Sequence, residues 1–295
     1  MKRAVLIVNP LASSVTREGL DRIESELRRT LELTVELTER PRHATDLART
    51  ASGVDAVLVY GGDGLLNEVV NGLDGTVPVG IVPGGGKNVV ARALGIPGDP
   101  ADAVKALATA TPRRITLGRV NGRRFVFAAG LGFDAELVRR VDALGRRSDG
   151  RRPGDVVFVR EAVRLLAARR GRYEPVVDVE DDGRVATVFV SNADVYSYVA
   201  GRPLRVAPEA RFELGLDLVA PRRVTAAAVP RLLAYALRGK GQERSDDVLY
   251  RHDVARIGVR AERPLALQAD GEDLGDVTEA EFESEPDAIA VLVPG

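Results

Sequence analysis

Three short strings hold most of the residue types that could carry chemistry. The first is Gly61-Gly62-Asp63-Gly64, which follows the apolar run Ala56–Tyr60 and precedes a segment, 65–73, with helical spacing. Glycines let backbone N–H groups approach phosphate oxygens closely, because no Cβ intervenes. A helix that starts there points its positive end at the same anion. A carboxylate inside such a loop repels phosphate unless a cation lies between them, so Asp63 is a candidate Mg²⁺-side or nucleotide-side ligand. The second string is Pro83-Gly84-Gly85-Gly86-Lys87-Asn88, again before a helix. Three consecutive glycines cost roughly 1 kcal/mol each to order relative to Ala in regular structure, and a plain connection does not need them. Asn88 can cap the helix or touch a nucleotide, and Lys87 can pair with phosphate or stay solvated. The third string is Asp270-Gly271-Glu272, directly after the run 265–269. Each string also has a plainer reading. The first is a tight turn with a capping Asp, and the third is a hairpin turn, since Asp-Gly is a strong turn dipeptide. Walker and Rossmann sites are excluded: there is no GxxxxGK[ST], and no GxGxxG follows the first strand.

The elements that must position these strings are legible as alternation in the first third. Ala4–Val8, Leu33–Leu37, Ala56–Tyr60 and Val79–Pro83 read as strands. Residues 16–30, 44–51, 65–73 and the stretch ending at Leu94 read as helices. This order predicts a mostly parallel sheet with helices on its faces, and both glycine clusters fall at carboxyl ends of strands, where such sheets bind ligands. The character changes near residue 115. Strands are expected at 115–117, 125–128, 176–179, 186–190, 204–207, 256–259 and 265–269, with helices at about 134–144, 155–170 and 224–238. That pattern predicts a second, mainly antiparallel β domain with helical insertions. The last apolar run, 289–293, fits either half.

Bulk properties narrow the function. The 295 residues favour two domains. A formal net charge of -1 gives no global field for a nucleic acid. The absence of cysteine removes disulfide frameworks, thiolate metal sites and cysteine nucleophiles, and fits a reducing cytosol. No stretch approaches the roughly 20 apolar residues of a spanning helix, so membrane contact is expected to be peripheral. His43 and His252 lack metal-ligand spacing, and each is read as structural or surface.

The strings, taken together, resemble the diacylglycerol kinase and sphingosine kinase superfamily. GGDGLLNEVVNGL (61–73) is similar to its GGDGT-xx-E-xxNGL signature, and VNP (8–10) to its N-terminal NP element. GIVPGGGKNVVARALGIP (80–97), FVFAAGLGFDAE (125–136), LALQADGE (265–272) and the final VLVP follow in the family's order. The resemblance implies an NAD-kinase-like α/β domain, residues 1–118, completed by 278–295, and a β-sandwich domain, residues 119–277, with the active site in the cleft. It implies transfer of the ATP γ-phosphoryl group, with Mg²⁺, to the hydroxyl of diacylglycerol or a related lipid alcohol, a step of phospholipid biosynthesis. Asn9, Gly61, Gly62, Asp63, Gly64, Glu68, Gly84, Gly85, Gly86, Lys87 and Asn88 would line the nucleotide side, with Asp63 the central acid and the link to Mg-ATP. Glu272 would be the general base, with Asp270 beside it. The expected partner is a lipid substrate and not a nucleic acid, the location cytoplasmic and peripherally membrane-associated, and a homodimer is left open.

The chain departs from the family pattern at several positions. Leu65 stands where Thr usually follows GGDG, and Gly86 replaces another Thr. Val89 and Thr116 stand where Asp is frequent. Glu213-Leu214-Gly215 replaces a D-D-G element, and Val199-Ala200-Gly201 a triple glycine. These losses admit a second reading, a catalytically impaired nucleotide- or lipid-binding homologue with a regulatory role. For the membrane, residues 139–172 carry eleven arginines and four acids, a local charge of about +7, with apolar residues between them. Such a stretch suits an anionic bilayer. It also fits a solvated helix face in an arginine-rich chain, which has four lysines against thirty-eight arginines.

Overall fold

The four apolar runs of the first third form parallel strands. In the computed structural model, which describes residues 1–145 and 153–295, the chain divides into two compact units. The first comprises Met1–Ile115 and Asp287–Gly295. Its elements are β1 (Arg3–Val8), α1 (Arg17–Leu27), β2 (Glu32–Leu37), α2 (His43–Thr50), β3 (Ala56–Gly61), α3 (Asp63–Val70), β4 (Val79–Pro83), α4 (Val89–Ala93) and α5 (Pro100–Leu107). The strands lie in the order β2, β1, β3, β4, all parallel. The final apolar run adds a fifth strand, with Val291 and Leu292 parallel to Val79 and Gly80. Strands β3 and β4 are buried throughout, as a sheet covered on both faces requires. Leu6, Leu58, Tyr60 and Val82 meet Ile23 and Leu27 of α1 and Val104 and Leu107 of α5 in one core.

Helix α5 carries no apolar stripe long enough to stand out in the sequence. Its start is nonetheless written in the chain: Asp99 accepts from the N–H groups of Ala101 and Asp102, and Pro100 occupies the first helical turn.

The second unit, residues 116–145 and 153–286, is the antiparallel half. It begins within β5 (Thr111–Val120) and continues through β6 (Arg123–Phe125), β7 (Ala128–Leu131), α6 (Phe133–Ala143), α7 (Asp155–Ala168), β8 (Arg172–Tyr173), β9 (Val177–Val179), β10 (Gly183–Val185), β11 (Val188–Ser191), β12 (Ser197–Val199) and β13 (Arg202–Leu204). Then come β14 (Leu216–Pro221), β15 (Val224–Thr225), α8 (Val229–Arg238), β16 (Val248–Val254), β17 (Arg256–Ala269) and β18 (Glu272–Val293). Strands β16, β14, β11, β7 and the end of β17 form one antiparallel layer. The start of β17 pairs instead with β9, while β18 runs beside both halves of β17. A register shift between Arg260 and Leu265 separates the two halves of β17, so one strand serves both sides of the sandwich. Phe125, Leu131, Leu216, Leu218, Leu267 and Phe282 fill the core between them.

Three expected elements differ, each for a local reason. The strand expected at 125–128 breaks at Val126 and Phe127, whose N–H groups turn to the Asp270 carboxylate instead of a neighbouring strand. The strand expected at 204–207 ends at Leu204, because the carbonyls of Arg205 and Val206 are taken by the Gln242 side chain. The helix expected over 224–238 starts at Val229, since Val224 and Thr225 pair with Tyr173 and Arg172. Strand β14 is hidden in the sequence because Asp217 interrupts its apolar pattern. That buried carboxylate is satisfied by Tyr250 Oη at 2.7 Å, His252 Nδ1 at 2.8 Å and the Asp253 N–H at 3.2 Å.

Phe282 is fully buried in the sandwich core. Phe282→Ala is expected to destabilise the second unit by about 3–5 kcal/mol. Denaturant unfolding followed by circular dichroism measures it.

Candidate functional site

The parallel sheet sets three loops side by side. Asn9 follows β1, the Gly61–Gly64 string closes β3, and Gly84–Asn88 follows β4, with β3 lying between β1 and β4. Gly61 pairs with Pro83 in register, so the two glycine strings leave the sheet as neighbours. The Gly84 N–H donates to the Gly61 carbonyl at 2.7 Å, and the Ser14 N–H to the Gly84 carbonyl at 2.9 Å. The Asn9 N–H donates to the Tyr60 carbonyl, while its side-chain oxygen turns back to accept from the Leu11 N–H at 2.9 Å.

The glycines of these loops divide into two kinds. A Cβ on Gly85 would stand 2.6 Å from the Gly62 Cα, and one on Gly84 would stand 3.0 Å from the Gly61 Cα. Gly62, Gly84 and Gly85 are backbone packed on backbone, with the Val15 side chain closing on Gly84 and the Leu65 side chain on Gly61, and no added Cβ fits at any of the four. A Cβ on Gly64 would meet nothing within 4 Å, and one on Gly86 only the Ser13 hydroxyl at 3.7 Å. Packing does not require glycine at either position. What the missing Cβ does there is leave backbone amides open to an approaching group.

Asp63 joins the two loops. It is the first residue of α3, and its carboxylate accepts from the Val89 and Val90 N–H groups, both at 3.0 Å. Those amides open α4, whose own cap residue, Asn88, is left-handed and gives no side-chain cap. Asn88 closes its turn instead. Its Oδ1 accepts from the Gly85 N–H at 2.9 Å and its Nδ2 donates to the Gly85 carbonyl at 2.8 Å. Lys87 is half-buried on the same loop. Glu68 lies one turn along α3 and faces the other way: it accepts from the Ala44 N–H at 3.2 Å, and Thr45 Oγ1 donates to its carbonyl at 2.8 Å. Glu68 thereby holds the start of α2, a helix with no side-chain cap of its own.

In the second unit the string Asp270-Gly271 is the two-residue turn between β17 and β18, with φ of +48° and +77°. Positive φ at both positions marks the mirror-image hairpin turn that favours Asp-Gly. The hairpin reading of this string is therefore correct, and the turn does more than reverse the chain. The Asp270 carboxylate points inward and accepts from the N–H groups of Val126, Phe127 and Ala128 at 2.6, 2.9 and 3.1 Å. Glu272, opposite Ala269, is partly exposed and paired with Arg123.

Behind the turn lies a buried network with no counterpart among the expected site residues. Asp134, in the first turn of α6, accepts from Tyr196 Oη at 2.5 Å and from Gln268 Nε2 at 2.7 Å. Burial pushes its carboxyl up to about 6, against those two hydrogen bonds, which pull it down. Tyr196 is in turn raised well above its ordinary value by burial and by the Asp134 charge. The Gln268 Oε1 accepts from the Gly271 N–H at 2.9 Å. Asn192 is fully buried, its Nδ2 bonded to the carbonyls of Thr116 and Val126.

Two family models divide the chain between them. The diacylglycerol kinase catalytic domain matches residues 3–120, and the YegS C-terminal NAD kinase beta sandwich-like domain matches residues 127–293. The chain belongs to the family of diacylglycerol kinases and YegS-like lipid kinases. It is 29% identical over 307 residues to the "Diacylglycerol kinase" of Bacillus subtilis, covering 100% of this chain and 97% of the relative. Its fold matches a crystal structure described as a diacylglycerol kinase from Bacillus anthracis, with a TM-score of 0.73 at 21% identity over 99% and 97% of the two chains. It also matches, with a TM-score of 0.52 at 14% identity over 99% and 93%, an NAD kinase from Archaeoglobus fulgidus in complex with ATP. An α/β fold of the NAD-kinase kind and a C-terminal β-sandwich are thus common to this kinase family and to the chain.

For this family member, sequence reasoning missed Asp134, Gln268 and Arg123; Tyr196 stands in the string 192–196, which resembles the family's N-x-x-Y segment. Asp134 and Gln268 sit inside matched strings, but nothing in their spacing says that their side chains meet. Of the arginines between 139 and 172, Arg139, Arg140, Arg160, Arg164, Arg169 and Arg172 have acidic partners in the fold. Arg146, Arg147, Arg151 and Arg152 lie outside the described residues. No helix among the described residues is long and apolar enough to cross a membrane.

The two kinds of glycine separate in a stability measurement. Gly85→Ala is expected to lower the stability of the first unit by roughly 1–3 kcal/mol through overpacking. Gly86→Ala is expected to stay within about 0.5 kcal/mol of the parent. Thermal denaturation of the two variants reads the contrast.

Proposed function

We propose that this protein is an ATP-dependent lipid kinase that transfers the γ-phosphoryl group to the hydroxyl of diacylglycerol or a related lipid alcohol. The observation that carries the reading is the clasped pair of glycine loops in a chain of this family: the backbone is packed at Gly61, Gly62, Gly84 and Gly85 and left uncovered at Gly64 and Gly86. Such a cradle, at the start of two helices, is a fit for the phosphates of a nucleotide.

Each residue then has a task. The amides around Gly64 and Gly86 hold phosphate oxygens, Lys87 adds a positive charge beside them, and Asn9 and Asn88 fix the loops that bear them. Asp63 keeps the two loops in register through Val89 and Val90. No cluster of three or more His, Asp or Glu that could hold a metal occurs among the described residues. Mg²⁺ in this reading comes with the triphosphate, with Asp63 as the carboxylate on the loops, and when bound it offsets phosphate charge. Glu272 takes the proton of the acceptor hydroxyl as its oxygen bonds to the γ-phosphorus and the bond to the ADP oxygen breaks. Asp270 serves as the anchor of the turn that presents Glu272. Transfer of labelled phosphate from ATP to a panel of lipid alcohols tests the reading. Glu272→Gln is expected to lower the rate on the order of 10²–10⁴-fold, and Asp63→Asn to weaken nucleotide binding. Nucleotide binding without transfer to any lipid alcohol would leave the non-catalytic reading in its place.

A lipid acceptor implies contact with a bilayer, and the apolar support for it lies on α7. Val156, Val159 and Val163 are 82%, 59% and 61% exposed on one face of that helix, within the arginine-rich stretch. We expect this face to rest on an anionic membrane, with the valines at the acyl boundary and arginines at the headgroups. The double variant V159D/V163D is expected to bind phosphatidylglycerol vesicles roughly tenfold more weakly or worse. Flotation with the vesicles measures this.

A further inference from the structure

The buried chain from Tyr196 through Asp134 and Gln268 ends on the Gly271 N–H, in the middle of the turn that presents Glu272. Its polarity is fixed at every link. Tyr196 Oη and Gln268 Nε2 are both donors, so the group between them must accept twice, and an ionised Asp134 does so. With its amino group committed to Asp134, Gln268 has its carbonyl oxygen turned to the Gly271 N–H, the only orientation in which that donor is met. Gly130 leaves room for the arrangement: a Cβ there would stand 2.7 Å from Asp134 Oδ2 and 3.2 Å from Gln268 Nε2. The same helix grips the strand beyond the turn, where Arg139 pairs with Asp273 at 2.8 Å and Asp276 at 2.7 Å. A buried carboxylate is costly, and neither a fold nor a hairpin needs one at this place. What the charge achieves here is a single orientation of Gln268 and hence of the turn.

We infer that Asp134 is a positioning residue for Glu272, acting through Gln268 on the Asp270-Gly271 turn. The kinetic part of the inference rests on the reading of Glu272 as proton acceptor, but the hold on the turn does not. The raised carboxyl of Asp134 accords with this: the groups that face it, Tyr196 and Gln268, donate to it but carry no positive charge.

The test exploits hydrogen-bond polarity. Asp134→Asn meets Tyr196 with its oxygen only by setting an amino group against that of Gln268; turned over, it meets Gln268 only by placing its amino group on Tyr196 Oη, whose own proton then loses the Asp134 acceptor. Rotating Gln268 relieves that clash only by turning its amino group on the Gly271 N–H. Adding Gln268→Glu restores the order, since a carboxylate at 268 accepts both from the amide introduced at 134 and from the Gly271 N–H. In the full-length protein, Asp134→Asn is expected to speed hydrogen exchange of the Gly271 amide at least tenfold, and D134N/Q268E to return it to near the parent rate. For transfer to lipid, kcat is expected to fall about tenfold to a hundredfold in Asp134→Asn, with KM for ATP unchanged, and to recover in the double variant. Asp134→Leu offers Gln268 no acceptor in any orientation and is expected to speed the exchange at least tenfold. Parent exchange at Gly271 in a folded Asp134→Leu protein, or a double variant that exchanges faster than Asp134→Asn, overturns the inference. If Asp134→Leu does not fold, Asp134→Ser is judged by the same exchange. If Glu272→Gln keeps normal turnover, the proton-acceptor reading fails, while the exchange result still decides whether Asp134 holds the turn.

Discussion

The Asp63 carboxylate holds the two glycine loops of the first unit together. It reaches from the first turn of one helix to the two opening amides of another, and so fixes the separation of two loops whose glycines meet backbone to backbone. Backbone packed on backbone gains little from side-chain burial and has no knob to set its register. A short acid at a helix start is well suited to that task, because its two oxygens can take two adjacent N–H groups that the second helix would otherwise leave unpaired. The glycines at 62, 84 and 85 and the acid at 63 are therefore one device, and none of them can be judged alone.

The second unit solves a related problem by the same means. Asp270 is also an acid in a Gly-containing turn, and it also spends its oxygens on a run of main-chain N–H groups, those of residues 126–128. In both places a carboxylate within a glycine string serves the backbone first. This separates the acids by role: Asp63 and Asp270 hold loops, Glu68 caps a neighbouring helix, and Glu272 is left partly exposed with Arg123 as its partner.

How much of this was legible in the sequence depends on the range of the interaction. The parallel half was legible, because each buried strand is a short apolar run and each glycine string sits where such a run ends. The Asp-Gly hairpin was legible as local turn chemistry. The links made by Asp63 to residues 89 and 90, and by Asp270 to residues 126–128, were not, since nothing in either string names a partner that far along the chain. Strand β14 was hidden by the buried Asp217, whose partners come from residues 250–253. The arginines between 139 and 172 were legible as charge; that Arg139, Arg140, Arg160, Arg164, Arg169 and Arg172 pair with acids and that Val156, Val159 and Val163 stay exposed was not, because both depend on how the helices pack.

The departures from the family pattern can now be weighed by what the altered side chains touch. Leu65 is buried and packs on Gly61, where an added Cβ would lie 2.6 Å from its Cδ2. A side chain at that position serves the core of the first unit, and leucine strengthens that role. Val89 is buried too, and its contribution to the loop is its N–H, which any residue except proline supplies. Gly86 removes a side chain from a place where a Cβ would meet almost nothing, so the change opens the cradle and breaks no contact. Each of these substitutions alters a side chain beside loops that are held by main-chain contacts. A phosphate site built from backbone, as proposed above, tolerates such changes better than one built from hydroxyls and carboxylates.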